Sequence, residues 1–125
     1  MEVIASRVLV DPVTGSEFHV SVAKPAQKSA IEWICEFSVS SPSGPSSGYA
    51  CGGDSIQALM LCMDAIRNEL SRYPEELNWD GLPLALAFPR TLPISLGEEF
   101  YYNIESQVEH EIGKYVDAAS KRRGK

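Results

Sequence analysis

The stretch Ile31-Glu32-Trp33-Ile34-Cys35-Glu36-Phe37-Ser38-Val39 limits the fold more than any other part of the chain. Ile31, Trp33, Cys35, Phe37 and Val39 fall on every second position, with Glu32, Glu36, Ser38 and one apolar residue, Ile34, between them. Side chains of a strand point alternately to its two faces, so this spacing describes a strand that is greasy on one side and wet on the other. Strands of this kind build an antiparallel sheet with one covered face. A helix predicted over Asp54 to Arg72 can supply the cover. Ile56, Leu59, Met63, Ile66 and Leu70 recur there at steps of three and four, Leu61 and Cys62 widen the stripe, and Asp64, Arg67, Asn68 and Ser71 mark the wet side. Tyr73-Pro74 closes it, because the residue before a proline is pushed out of helical conformation.

The rest of the chain fits around this pair. Val3 to Val10 is β-branched and aliphatic, Asp11-Pro12-Val13-Thr14-Gly15 reads as a turn, and Phe18, Val20 and Val22 alternate with His19 and Ser21, which predicts a hairpin ended by Lys24-Pro25. Ser40 to Gly48 is so rich in Ser, Pro and Gly that it reads as a mobile connection, with a short edge strand from Gly48 to Cys51. Pro83, Pro89 and Pro93 exclude a long regular helix between Glu75 and Leu96. Leu84 to Phe88 reads there as a strand or buried extended segment, and Trp79 and Phe88 as the seal on one edge of the core. A last helix begins near Ser95, where Ser95 and Glu98 match a capping box, and Tyr101, Ile104, Val108, Ile112, Tyr115 and Ala119 form its apolar stripe. The expected fold is therefore α+β: an antiparallel meander of three to four strands, one long helix packed on it, an irregular Pro-rich segment and a C-terminal amphipathic helix. The expected organisation is one domain over residues 1–120 and a basic tail at 121–125.

Charge excludes more than it selects. Residues 1–120 carry seven Lys and Arg against seventeen Asp and Glu, and Lys121, Arg122, Arg123 and Lys125 hold the remaining cations. A body this acidic repels phosphate backbones, so no nucleic acid is expected as partner. Met1-Glu2-Val3-Ile4 lacks a basic leader, no apolar run nears the roughly 18–20 residues of a membrane span, and Cys35, Cys51 and Cys62 form no C-x-x-C pair. These features give the expectation of a cytoplasmic protein with reduced thiols, two of them in the core.

Catalytic and metal chemistry find little purchase. His110-Glu111 begins like H-E-x-x-H, but Lys114 stands where the second histidine belongs, so no metal is expected. His19 and Cys35 have opposite parities on their strands and cannot form a dyad on one face. Glu105 and Glu109 stand one helical turn apart on what reads as a wet face rather than in a cleft. Neither G-x-G-x-x-G nor G-x-x-x-x-G-K occurs. No catalytic residue and no cofactor are expected.

Cys51-Gly52-Gly53-Asp54-Ser55-Ile56-Gln57-Ala58-Leu59 resembles the phosphopantetheine site of acyl and peptidyl carrier proteins, in which the serine carries the prosthetic arm. That family presents the serine from a four-helix bundle, whereas the residues before Ser55 read as strands broken by Pro12, Pro25, Pro42 and Pro45. A simpler account is a helix start: the glycines let the backbone turn, Asp54 caps the helix, Gln57 returns the bond, and Ser55 stays unmodified.

Over about its first ninety residues the chain resembles a family of small bacterial proteins with no assigned activity. The likeness lies in Ile4-Ala5-Ser6-Arg7-Val8-Leu9, Glu32-Trp33-Ile34-Cys35-Glu36-Phe37, Gly53 to Leu59 and the apolar segment ending at Phe88-Pro89. The resemblance implies the α+β fold and carries no site residues. The functional expectation is a non-enzymatic protein that binds a basic protein partner, in the manner of an immunity or inhibitor protein, through Glu98, Glu99, Glu105, Glu109 and Glu111. The alternative is a structural domain that forms a homodimer through the apolar face of the last helix and holds a small molecule between sheet and helices.

Overall fold

Two strands, β1 (Val3–Val10), rich in Val and Ile, and β2 (Glu17–Ala23), with its alternating Phe18, Val20 and Val22, pair antiparallel from Val10 opposite Glu17 to Val3 opposite Ala23. Between them the buried Asp11 takes a hydrogen bond from the Val13 amide (3.0 Å) on one carboxylate oxygen and from the Thr14 hydroxyl (2.8 Å) on the other. A carboxylate that accepts from its own turn in this way fixes the reversal of the chain. The computed structural model describes residues 1–92 and 94–123. It divides into two compact units, Met1–Thr91 and Leu92–Lys125.

The first unit is a twisted antiparallel sheet with a helix on one face. β3 (Ala26–Gln27) follows β2 along the same edge of β4 (Trp33–Ser41), with one extra residue opposite β4 across Lys24-Pro25, which is a bulge. Ile31 precedes β4 and is exposed, so the alternation begins in earnest at Trp33, which is half-buried; Cys35, Phe37 and Val39 are buried as their spacing demands.

The expected mobile connection is instead a full strand. β5 (Gly44–Gly52) pairs with β4 along its whole length, from Ser41 opposite Gly44 to Trp33 opposite Gly52, around a tight reversal at Pro42-Ser43. Its inward positions are Ser46, Gly48, Ala50 and Gly52, an alternation in size rather than in polarity, which is why no apolar period marks it. The Phe37 ring lies over Gly48, where a Cβ would sit 2.6 Å from the ring carbon Cζ, and so fills the volume the glycine leaves. Pro45 is tolerated because β5 pairs on one side only.

α1 (Ser55–Leu70) covers the Phe37 face. Ala58, Cys62, Ile66 and Leu70 are its fully buried residues, packed with Leu9, Phe18, Val20, Cys35, Phe37 and Val39. The buried stripe is thus rotated from the expected one: Ile56 is 69% exposed, and Ala58 takes the centre because only a small side chain fits where the helix meets the small residues of β5. Past α1 the chain forms a miniature hairpin, β6 (Asn78–Trp79) and β7 (Leu82–Pro83), with Asn78 also paired to Val10 of β1. Asp80 (φ 53°) and Gly81 (φ 80°) make its two-residue turn, the left-handed geometry that Asp-Gly favours. Leu84 to Ala87, expected as strand or extended, is a single helical turn, α2, that places Ala87 and Phe88 in the core beside half-buried Trp79.

The second unit holds a 3-10 turn at Ile94–Leu96 and α3 (Glu98–Arg123). Ser95 lies in that turn; the Gly97 carbonyl accepts the first helical bond, from the Tyr101 amide at 3.2 Å, so the capping box expected at Ser95 does not form. α3 continues through Lys121, Arg122 and Arg123 without a break, and Gly124 and Lys125 of the expected tail lie outside the described residues. No described helix is long and apolar enough to cross a membrane.

Candidate functional site

The glycine pair before α1 is a structural joint. The Asp54 carboxylate accepts from the Gln57 amide (2.7 Å), and the Gln57 side chain accepts from the Gly53 amide (2.6 Å), one residue outside the usual capping-box donor. A Cβ on Gly52 would lie 2.5 Å from the Ala58 nitrogen, so Gly52 is needed because helix and strand press together there. Ser55 is half-buried at the first helical position and follows a sheet, not a bundle.

Cys35 and Cys62 are buried and Cys51 half-buried, all three free. Cys35 donates to the Ala23 carbonyl at 3.5 Å. Burial, with a hydrogen bond to Cys35, pushes the Cys62 thiol up to about 12; burial also raises Cys35. Such thiols stay protonated and unreactive. His19 projects from the other face of the sheet, 3.5 Å from Glu17, away from Cys35.

A concave apolar surface with polar groups around it lies in the first unit, beside the segment Ala87–Thr91. Three side chains hold that segment. Arg7 of β1 shares the parity of buried Leu9 and so points to the covered face; its Nη1 donates to the Ala87 carbonyl at 2.5 Å, with the guanidinium 3.7 Å from the Trp79 ring centroid and 5.5 Å from that of Phe88. Arg67 of α1 donates to the Phe88 carbonyl at 3.4 Å. Asp64 accepts from the Thr91 amide at 2.9 Å and from the Thr91 hydroxyl. Asp64 and Arg67, placed on the wet side by periodicity, are both only half-exposed and serve as struts.

The result is a cleft of about 400 Å³ whose apolar wall includes Val20, Val22, Met60 and Met63, with Arg7 and Arg90 at its border. Arg90 and Thr91 also border an adjoining polar hollow formed with Asp64, Arg67 and Asn68. Pockets of this size with few polar groups are typical of small-molecule sites. Sequence reasoning placed Val20, Val22 and Met63 on apolar stripes and Asp64, Arg67 and Asn68 on a wet side, and assigned none of them to a site. The available signal was Arg7, a lone cation within a mostly apolar strand.

The expected partner-binding residues lie in the second unit. Glu98, Glu99, Glu105, Glu109 and Glu111 are all exposed on α3, and Glu111 pairs with Lys114 at 3.0 Å. Between the acids the apolar stripe is open as well: Val108 and Ile112 are each 49% exposed and Tyr115 76%.

A sheet of meander topology with one helix-covered face and a supported cleft defines a small α+β domain without an evident catalytic constellation among the described residues. The family described as Domain of unknown function (DUF6968) matches residues 5–90, and the chain belongs to it. Comparison with curated proteins and with solved structures finds no match.

Proposed function

We propose that this chain is a non-enzymatic association protein that pairs with a second copy of itself through α3. The observation that carries the reading is a 26-residue helix with its apolar stripe open to solvent. A helix of about 39 Å leaves a seam long enough for stable pairing once a like stripe covers it. Charge chooses the orientation. The half from Glu98 to His110 holds Glu98, Glu99, Glu105 and Glu109 and no Lys or Arg, while the half from Glu111 holds Lys114, Lys121, Arg122 and Arg123 against Glu111 and Asp117. Antiparallel pairing lays the acidic half of one helix along the basic half of the other and opposes the helix dipoles; parallel pairing stacks acid on acid.

A second reading rests on the unpaired carboxylates. Of Glu98, Glu99, Glu105, Glu109 and Glu111, only Glu111 has an ion-pair partner among the described residues, so the same face suits a basic protein. A cytoplasmic bacterial immunity or inhibitor protein is the narrow form of that reading.

Sedimentation equilibrium on the full chain separates the two. Self-pairing gives a dimer that Ile112→Glu converts to monomer while tryptophan fluorescence of the first unit stays unchanged. A wild-type chain that remains monomeric at high concentration overturns self-pairing, and salt-sensitive capture of a basic protein by that monomer carries the second reading.

A further inference from the structure

Residues 1–91 contain six Lys and Arg against eleven Asp and Glu, so each cation has acids to choose from. Three of the six take them: Lys24 pairs with Glu2 at 3.9 Å, Lys28 with Glu32 at 3.5 Å and Arg72 with Glu69 at 3.4 Å. The other three, Arg7, Arg67 and Arg90, make no ion pair among the described residues, and all three border the cleft or the hollow that adjoins it. In an acidic domain, the three cations outside ion pairs have collected at one place, and the one carboxylate that shares the hollow, Asp64, is engaged by the Thr91 amide and hydroxyl.

We propose that this place is a binding site for a small organic anion with an apolar body, such as a medium-chain or aryl carboxylate. The apolar part lies against Val20, Val22, Met60 and Met63, and the acid group meets Arg90 at the border shared by cleft and hollow. Arg7 and Arg67 each give one N–H to a backbone carbonyl of the Ala87–Thr91 segment. A guanidinium carries five donors, so both keep some for a ligand while positioning the cleft wall. Arg90 donates to no protein group among the described hydrogen bonds and is exposed, which leaves its fork free for a carboxylate. A neutral apolar ligand would use the wall and leave the three charges idle. A bare inorganic anion would use the charges and leave the wall wet.

The test uses the full chain, amide NMR and three probes: decanoate, 1-decanol and inorganic phosphate. Decanoate is expected to shift the amides of Val20, Val22, Met60, Met63 and the Ala87–Thr91 segment saturably. It should bind about tenfold or more tightly than either 1-decanol or phosphate, the gain of adding charge-assisted bonds to burial. Arg90→Gln removes a side chain with no described structural bond. It should weaken decanoate by about tenfold with the spectrum otherwise native, while Arg72→Gln, at a surface pair, leaves binding unchanged. Decanol binding as tightly as decanoate, phosphate binding as tightly as decanoate, no saturable shift at these amides, or an Arg90→Gln chain that binds like wild type would each overturn the proposal.

Discussion

The two glycines before α1 sit side by side in the sequence and should respond to the same substitution in opposite ways. A Cβ at Gly52 meets the Ala58 nitrogen at 2.5 Å and the Gln57 carbonyl carbon at 2.9 Å, both backbone atoms of the first helical turn. Neither can swing aside, so Gly52→Ala must lift the start of α1 off the end of β5. Overpacking of this kind costs about 1–3 kcal/mol. The lower entropy of an unfolded alanine returns only about 0.4–1 kcal/mol. A Cβ at Gly53 meets only the Gln57 side-chain oxygen, at 3.4 Å, an ordinary contact with a movable group, and Gly53 has no left-handed φ to lose. Gly53→Ala should therefore be neutral or slightly stabilising. Trp33 and Trp79, the two tryptophans, both lie in the first unit, so urea unfolding followed by their fluorescence reads that unit. With a urea slope of about 1–3 kcal/mol/M, the midpoint for Gly52→Ala should fall by roughly 1 M and that for Gly53→Ala should hold or rise. Equal losses at both positions would refute close packing as the reason for the glycines and restore backbone freedom as their role.

The reciprocal cap gives a second expectation: Asp54→Ala should cost about 1 kcal/mol, and less in a Gln57→Ala background, measured as a double-mutant cycle in urea. Thiol titration of the native chain with a disulfide reagent should find Cys51 reacting first, with Cys35 and Cys62 reacting only on unfolding; fast labelling of all three would contradict their burial. Because Cys62 keeps its proton in the folded state up to about pH 12 and loses it near its ordinary value of 9.0 when unfolded, its contribution is complete below pH 9 and is lost as pH rises from there toward 12. Chemical unfolding across that window should show a stability decline that is shallower in Cys62→Ala, compared with each protein's own value at pH 8. Truncating the guanidinium clamp, Arg7→Ala, should destabilise the first unit by about 1–3 kcal/mol, since it leaves the Ala87 carbonyl unpartnered and the Trp79 face uncovered.

What could be read from the sequence was whatever advertises itself by polarity at a fixed period. β2 and β4 did so, as did α1 and α3; β1 showed itself by β-branched composition alone, and the Asp54–Gln57 cap followed from residue types at fixed offsets. β5 escaped because Ser46, Gly48, Ala50 and Gly52 alternate in volume, and volume becomes meaningful only once Phe37 and α1 are known to lie above them. The β6–β7 hairpin carried a legible signal in Asp80-Gly81, but its strands are two residues each and pass beneath any periodicity. The cleft was the least legible. Arg7, Arg67 and Arg90 are far apart in sequence, and what unites them is the segment Ala87–Thr91 held between β1 and α1, a tertiary fact. The expected acidic face, by contrast, needed only residue types along one helix.

The serine-rich strand also decides where this sheet stops. A nine-residue border with free amides on its outer side would ordinarily invite a neighbour's strand to zip on. Here the border contains a proline with no amide to offer, and glycines and serines that give a newcomer little to grip. Fibril-like extension is discouraged at the rim.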